Sequence, residues 1–146
     1  MKVSTRVEYG LIALTDIVLH SADGQSVSAP EISQRQNISR KYLEQILMLL
    51  RQGGFITAQK GLRGGYTLSK PPGEIRLSEV LNALDSNILA DMDEGDEEGE
   101  LRSVINECFW GRINDSLKRY TNDLRLSDFA DSCRNRFSGS WDMYTI

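Results

Sequence analysis

The chain is poor in the residues that most metal, disulfide and nucleophile chemistry needs: 146 residues hold two cysteines, Cys108 and Cys133, and one histidine, His20. Two thiols so placed make neither a disulfide framework nor a CxxC pair. The single His20 sits in a helical pattern with apolar neighbours, so no nucleophile finds a histidine base. No metal-ligand cluster or cofactor fingerprint stands out, and the expectation is no enzyme, no metal and no cofactor. Long apolar runs are missing too. Leu47 to Leu50 is far too short to cross a bilayer, and the N-terminus lacks the basic, apolar and small-residue series of a signal peptide, so a cytoplasmic protein with no membrane partner is expected. A composition of 40% hydrophobic and 26% charged residues excludes a wholly disordered chain. At this length a folded monomer buries roughly two-thirds of its unfolded surface without needing a metal or disulfide.

Positive charge is scarce overall, with a net of −4 that argues at first against a nucleic-acid partner. The mean conceals two unlike halves. Residues 1–80 carry ten basic against seven acidic side chains, and residues 81–146 carry seven against fourteen. Between Arg35 and Lys70 lie Arg35, Arg40, Lys41, Arg51, Lys60, Arg63 and Lys70 against the single acid Glu44, a local +6. Phosphates respond to the local patch, because charges beyond roughly 10 Å are screened at physiological salt.

The basic window falls on patterned sequence. Val7, Leu11, Leu14 and Val18 mark one face of a helix over Ser4 to His20, and Asp23-Gly24 reads as a turn. Ser28-Ala-Pro-Glu31 is a capping box with proline inside the first turn, so a short helix should run to about Gln36. After Asn37-Ile38-Ser39 a third helix follows, capped by Ser39, stapled by Ile38 onto Leu43, and striped by Leu43, Ile46, Leu47 and Leu50 until Gly53-Gly54. Two short helices so closely joined are what a helix-turn-helix requires. Phe55 to Gln59 and Tyr66 to Leu68 read as strands around the loop Lys60-Gly-Leu-Arg-Gly-Gly65, and Pro71-Pro72-Gly73 stops the hairpin. The loop lacks the Walker spacing, so a nucleotide-phosphate loop is not indicated.

Leu77 opens another short helix through Leu84. Asp91 to Glu100 then holds seven acids and no base, with no workable EF-hand spacing, and is expected to stay hydrated and mobile. From Leu101 to Leu124, Leu101, Ile105, Phe109, Ile113, Leu117, Tyr120 and Leu124 recur at helical spacing, describing a helix about 35 Å long. It outruns the small core of the first seventy residues. A homodimer is expected, with Ile105, Phe109, Ile113, Leu117 and Tyr120 at the interface; the alternative is a helix covering its own chain.

The resulting fold class is mainly α with a small β-hairpin. The boundaries are 1–85 for a winged helix-turn-helix, 86–100 for an acidic loop, 101–124 for a dimerisation helix and 125–146 for a short C-terminal helix and tail. In a winged helix the second helix of the pair enters the major groove by its N-terminal end while the wing reaches the minor groove or backbone. Candidate contacts to double-stranded DNA are therefore Ser39, Arg40, Lys41, Tyr42, Glu44 and Gln45, with Lys60 and Arg63 on the wing. Arg40 and Lys41 suit phosphates or guanine edges, Gln45 an adenine edge, and Ser39 or Tyr42 a phosphate. Glu44 suits a cytosine amino group or is a solvated acid. In the wing, Gly61, Gly64 and Gly65 let the backbone approach closely.

Met1-Lys-Val-Ser-Thr-Arg6 with Tyr9-Gly10, Ile38-Ser39 with Tyr42-Leu43-Glu44-Gln45, Leu50-Arg51 with Gly53-Gly54, and Gly61 through Gly64-Gly65-Tyr66-Thr67-Leu68 resemble the Rrf-type family of bacterial transcription regulators. The resemblance is dense over residues 1–85 and looser to about 130. It implies a dimeric winged-helix DNA-binding protein, with Tyr42 and Glu44 as readers on the recognition helix and Lys60 on the wing. Cluster-binding members place three cysteines, often with one further ligand, ahead of the long helix. Residues 85–107 here contain no cysteine, and aligning through Trp110 puts those positions on Met92, Glu98, Val104 and Glu107. None is the thiolate that iron–sulfur clusters normally use, and Cys108 and Cys133 are too few for four thiolates. Cys108 is expected to pack as a small hydrophobe in the long helix. In character the chain is nearest the family's cluster-free cysteine-metabolism repressors, which implies control of cysteine or sulfur metabolism. The ending Trp141-Asp-Met-Tyr144-Thr-Ile146 is similar to their tails and implies docking onto O-acetylserine thiol-lyase through Tyr144 and Ile146; the other reading is a tail folded back on its own dimer. The functional expectation is a repressor without an iron–sulfur cluster. The alternatives are a winged-helix protein-interaction module with no DNA target, or an iron–sulfur or redox-sensing regulator of the same family.

Overall fold

A computed structural model describes residues 3–89 and 99–144. Most of the acidic loop, and Ile146, lie outside the described residues.

The local signals at the N-terminal end translate directly into structure. Helix α1 (Thr5–His20) starts at Ser4, whose hydroxyl accepts from the Val7 N–H at 3.3 Å. Helix α2 (Ala29–Gln36) carries the capping box: the Ser28 N–H donates to Glu31 Oε2 at 2.9 Å and the Glu31 N–H donates to Ser28 Oγ at 3.3 Å. It ends at Asn37, one of the few side chains that tolerates the left-handed region, at φ 54°. Helix α3 (Arg40–Gln52) begins at Ser39, which accepts from the Tyr42 N–H, and buries Leu43, Ile46, Leu47 and Leu50 completely against α1.

Strands β1 (Ile56–Gln59) and β2 (Gly65–Leu68) pair antiparallel, with Ile56 opposite Leu68 and Gln59 opposite Gly65. Phe55, expected as the first strand residue, instead sits buried in the core. Tyr66 also exchanges backbone hydrogen bonds of 2.9 and 2.7 Å with Val27, tying the hairpin to the segment that leads into α2. Only glycine fits at position 65, because a Cβ there would lie 2.6 Å from the Val27 carbonyl. A 3-10 turn, Pro72–Glu74, leads into α4 (Leu77–Leu84), which inserts Leu77, Val80, Leu81 and Leu84 into the same core.

Two expectations for the C-terminal half are corrected. The helix expected over 101–124 is not regular: α5 (Glu100–Ile105) passes through a π-helical turn (Asn106–Trp110) into α6 (Gly111–Asp123). The Gly111 N–H reaches back five residues to the Asn106 carbonyl, and a Cβ at 111 would lie only 2.9 Å from that oxygen. Glycine is what lets the wider turn close there. The second correction concerns the end of the chain: α7 (Leu126–Tyr144) is a 19-residue helix rather than a short helix with a tail. It is anchored at its start, where Asp128 Oδ2 accepts from the Arg125 N–H at 2.8 Å and Leu126 and Ala130 are fully buried, and it packs along α1. The Leu77 N–H donates to the Leu124 carbonyl and the Leu126 N–H to the Ile75 carbonyl, at 3.0 and 2.9 Å, lashing the α6–α7 junction to the base of α4. Among the described residues, no helix is long and apolar enough to cross a membrane.

Candidate nucleic-acid interface

Because α3 spends its whole apolar stripe on the core, its other face is left to solvent. Ser39, Arg40, Lys41, Glu44 and Gln45 are all exposed at its first turns. Tyr42 is half-buried, its ring set edge-on against Tyr9 with centroids 5.7 Å apart.

A buried carboxylate that sequence reasoning missed ties α2 to α1. Asp16 of α1 is 1% exposed, yet accepts from Arg35 Nε at 3.0 Å, from Arg35 Nη2 at 2.8 Å and from Gln36 Nε2 at 2.8 Å. His20 Nδ1 lies 3.6 Å from the same carboxylate. The hydrogen bond to Asp16 raises the Arg35 pKa above its ordinary value, against the opposing effect of burial. A bidentate guanidinium–carboxylate pair fixes orientation as well as distance, so the last turn of α2 is held against α1 just before the turn into α3. The pairing spans nineteen and twenty residues of sequence, and the only hint is an acid on the apolar side of α1.

The clamp also changes the meaning of the basic window. Arg35 is committed to Asp16, and Lys70 stands 3.8 Å from Glu79 and 5.9 Å from the centre of the Phe55 ring. Arg40, Lys41, Arg51, Lys60 and Arg63 remain, with no ion pair among the described residues. Four of these five lie at the start of α3 or on the wing.

The wing carries Lys60 and Arg63 exposed on a loop whose geometry is set by backbone bonds. Gly61 has φ 118°, open only to glycine, and its carbonyl accepts from the Gly64 N–H at 2.9 Å. The Ser26 hydroxyl donates to the Arg63 carbonyl, and Val27 pairs with Tyr66, so the hairpin is pinned beside the N-terminus of α2. Leu62, which sequence reasoning passed over, stands fully exposed at the tip.

The residues expected at a dimer interface divide. Ile105, Phe109, Ile113 and Tyr120 are 43–66% exposed, and Leu101, Val104 and Trp110 join them on the same long helical segment. Phe109 and Trp110 meet edge-on at 4.9 Å. Leu117 is placed differently, half-buried against the chain's own core near α4.

The expectation that Cys108 packs as a hydrophobe is corrected, because none of the residues of α5 or the π turn is buried and Cys108 is exposed there. Val104 and Glu107 are exposed beside it, Cys133 is half-buried on α7, and Met92 and Glu98 lie outside the described residues. Among the described residues no three His, Cys, Asp or Glu side chains gather as metal ligands would. Tyr144 is the last residue of α7.

The profile of Rrf2, described as an iron-dependent transcriptional regulator, matches residues 3–132. The HTH-type transcriptional regulator IscR of Cereibacter sphaeroides is 34% identical over 133 residues, covering 88% of this chain and 86% of that protein. The protein rrf2 of Nitratidesulfovibrio vulgaris is 36% identical over 132 residues, again 88% and 86% of the two chains. Among solved structures, CymR (YrzC), the global cysteine regulator of B. subtilis, superposes with a TM-score of 0.78 at 29% identity, over 90% of this chain and 98% of that one.

Proposed function

The chain belongs to the Rrf2 family of DNA-binding transcriptional regulators, and we propose that it acts as a dimeric, sequence-specific repressor in the cytoplasm. One observation carries this reading: the first turns of α3 leave Arg40, Lys41, Glu44 and Gln45 exposed, and the wing of the same domain leaves Lys60 and Arg63 exposed. Phosphate contacts from the cations would fix register, and the carboxylate and amide would read base edges. A second copy covering Ile105, Phe109, Ile113 and Tyr120 would set two recognition helices about one helical turn apart on a pseudo-palindromic site.

The family profile and the relatedness to IscR favour a second reading, an iron–sulfur regulator. The donor set does not fit a four-thiolate cluster, since the chain has only Cys108, on the π turn, and Cys133, on α7. We therefore read it as cluster-free. A colourless protein without bound iron or sulfide after anaerobic purification supports this, and stoichiometric iron and sulfide would replace it with the second reading. The likeness to CymR supports a regulatory role in cysteine or sulfur metabolism, and docking of the C-terminal Tyr144 and Ile146 onto O-acetylserine thiol-lyase belongs to the same proposal.

Selection of genomic fragments by the purified protein tests the central reading. A single enriched sequence with two-fold symmetry, bound by two protomers, is the expected result. No enriched sequence would leave a winged-helix protein-interaction module instead.

A further inference from the structure

We propose that Leu62 is a minor-groove wedge, an apolar side chain that the wing inserts between stacked base pairs, making the protein prefer deformable steps outside the recognition-helix contacts. The inference rests on the DNA-reading function proposed above and adds a specificity-determining residue to it. At 109% relative exposure, Leu62 stands as far into solvent as a leucine can. Single exposed leucines are ordinary on protein surfaces; the position of this one is not. It forms the apex of a loop whose other exposed side chains, Lys60 and Arg63, are both cations.

Backbone bonds shape that apex. Gly61 takes a backbone conformation closed to other residues, and the Gly64 N–H closes the turn on the Gly61 carbonyl. A Cβ at Gly64 would press to 2.9 Å against the carbonyls of Gln59 and Gly61. The Ser26–Arg63 bond and the Val27–Tyr66 pair fix the base of the hairpin. When Lys60 and Arg63 meet the phosphates that border a groove, the residue between them enters the groove first. The minor groove, about 6 Å wide, admits a hairpin tip but no helix. Its floor offers few hydrogen-bonding distinctions, whereas an apolar wedge works by unstacking a base step and bending the duplex. That deformation is easiest at pyrimidine–purine steps such as TA and CA/TG, so Leu62 would convert flexibility into sequence preference without a base hydrogen bond.

The test begins with duplexes selected from a randomised 30-base-pair library by the full-length protein. On the highest-affinity duplex, Leu62→Ser and Leu62→Met are compared with wild type for affinity, for salt dependence, and for bend angle by energy transfer between end-labelled strands. Leu62→Ser is expected to lose about tenfold in affinity, to keep its salt dependence, to bend the duplex less and to lose the preference for TA or CA steps at the wing positions. Leu62→Met should retain all of these. Full exposure of Leu62 makes misfolding an unsuitable explanation, and unchanged circular dichroism would verify that. If Leu62→Ser binds within twofold of wild type with the same step preference and bend, the wedge is wrong. If wild type enriches no duplex, the DNA-reading function itself fails, an outcome separate from the first.

Discussion

The winged domain and the long helical segment bury their apolar residues to opposite extents. Leu14, Ile17, Leu43, Ile46, Leu47 and Leu50 are wholly inaccessible, while Leu101, Phe109, Trp110 and Ile113 are 46–75% exposed on α5, the π turn and α6. Both stretches show equally regular helical periodicity in sequence. The difference is what lies opposite the stripe: in the winged domain other elements of the same chain cover it, whereas the long segment projects past them. Apolar exposure of this extent along one helix marks a candidate interface, so one region is covered within a single chain and the other would be covered by the second copy of the proposed dimer.

That contrast can be broken at either end. Leu47→Ala should cost the most, about 2–5 kcal/mol of unfolding free energy measured in urea, because truncating a fully buried side chain removes its burial and leaves a cavity. Ile113→Asp should leave the winged domain folded yet yield a monomer in sedimentation. Loss of the second recognition helix should then weaken binding to a two-fold operator by about a hundredfold. A sedimentation profile identical to wild type would show that the exposed stripe has another purpose. Arg35→Ala leaves the Asp16 carboxylate buried with only Gln36 and His20 beside it, and a loss of about 2–3 kcal/mol in stability is expected. Arg35→Lys should recover part of the stability but less of the DNA affinity, since one ammonium cannot reproduce the two-point hold on α2. Equal recovery of both would reduce the clamp to a packing contact.

Most of the winged domain was legible in the sequence because its signals are local. Ser4, Ser28 with Glu31, and Ser39 each cap a helix within three residues of themselves, and the α3 stripe repeats inside four turns. The exposed Ser39, Arg40, Lys41, Glu44 and Gln45 follow from that stripe by subtraction. Other features depend on contacts that no local pattern encodes. Asp16 and Arg35 meet across two helices, so Arg35 counted as a free cation until the fold paired it. The π turn needs Gly111 to close on Asn106, a single-residue event that an otherwise regular stripe conceals. Cys108 stands exposed because its segment outruns the core, and α7 continues through Ser138-Gly139-Ser140, poor helix formers that favour an early stop. Leu62 escaped notice because a lone leucine among glycines has no periodicity, and only its full exposure in the wing loop distinguishes it.

The smallest change in stability should produce the most direct functional reading. Lys60→Ala/Arg63→Ala touches two exposed side chains and should alter unfolding by no more than about 0.5 kcal/mol. The measurement is the affinity of wild type and of this double variant for the selected duplex across a salt series. With two phosphate contacts removed, the plot of log K against log salt should become shallower by about two. Weaker binding with that shallower slope is the predicted result; the same affinity and the same slope in both proteins would contradict a DNA interface built from α3 and the wing.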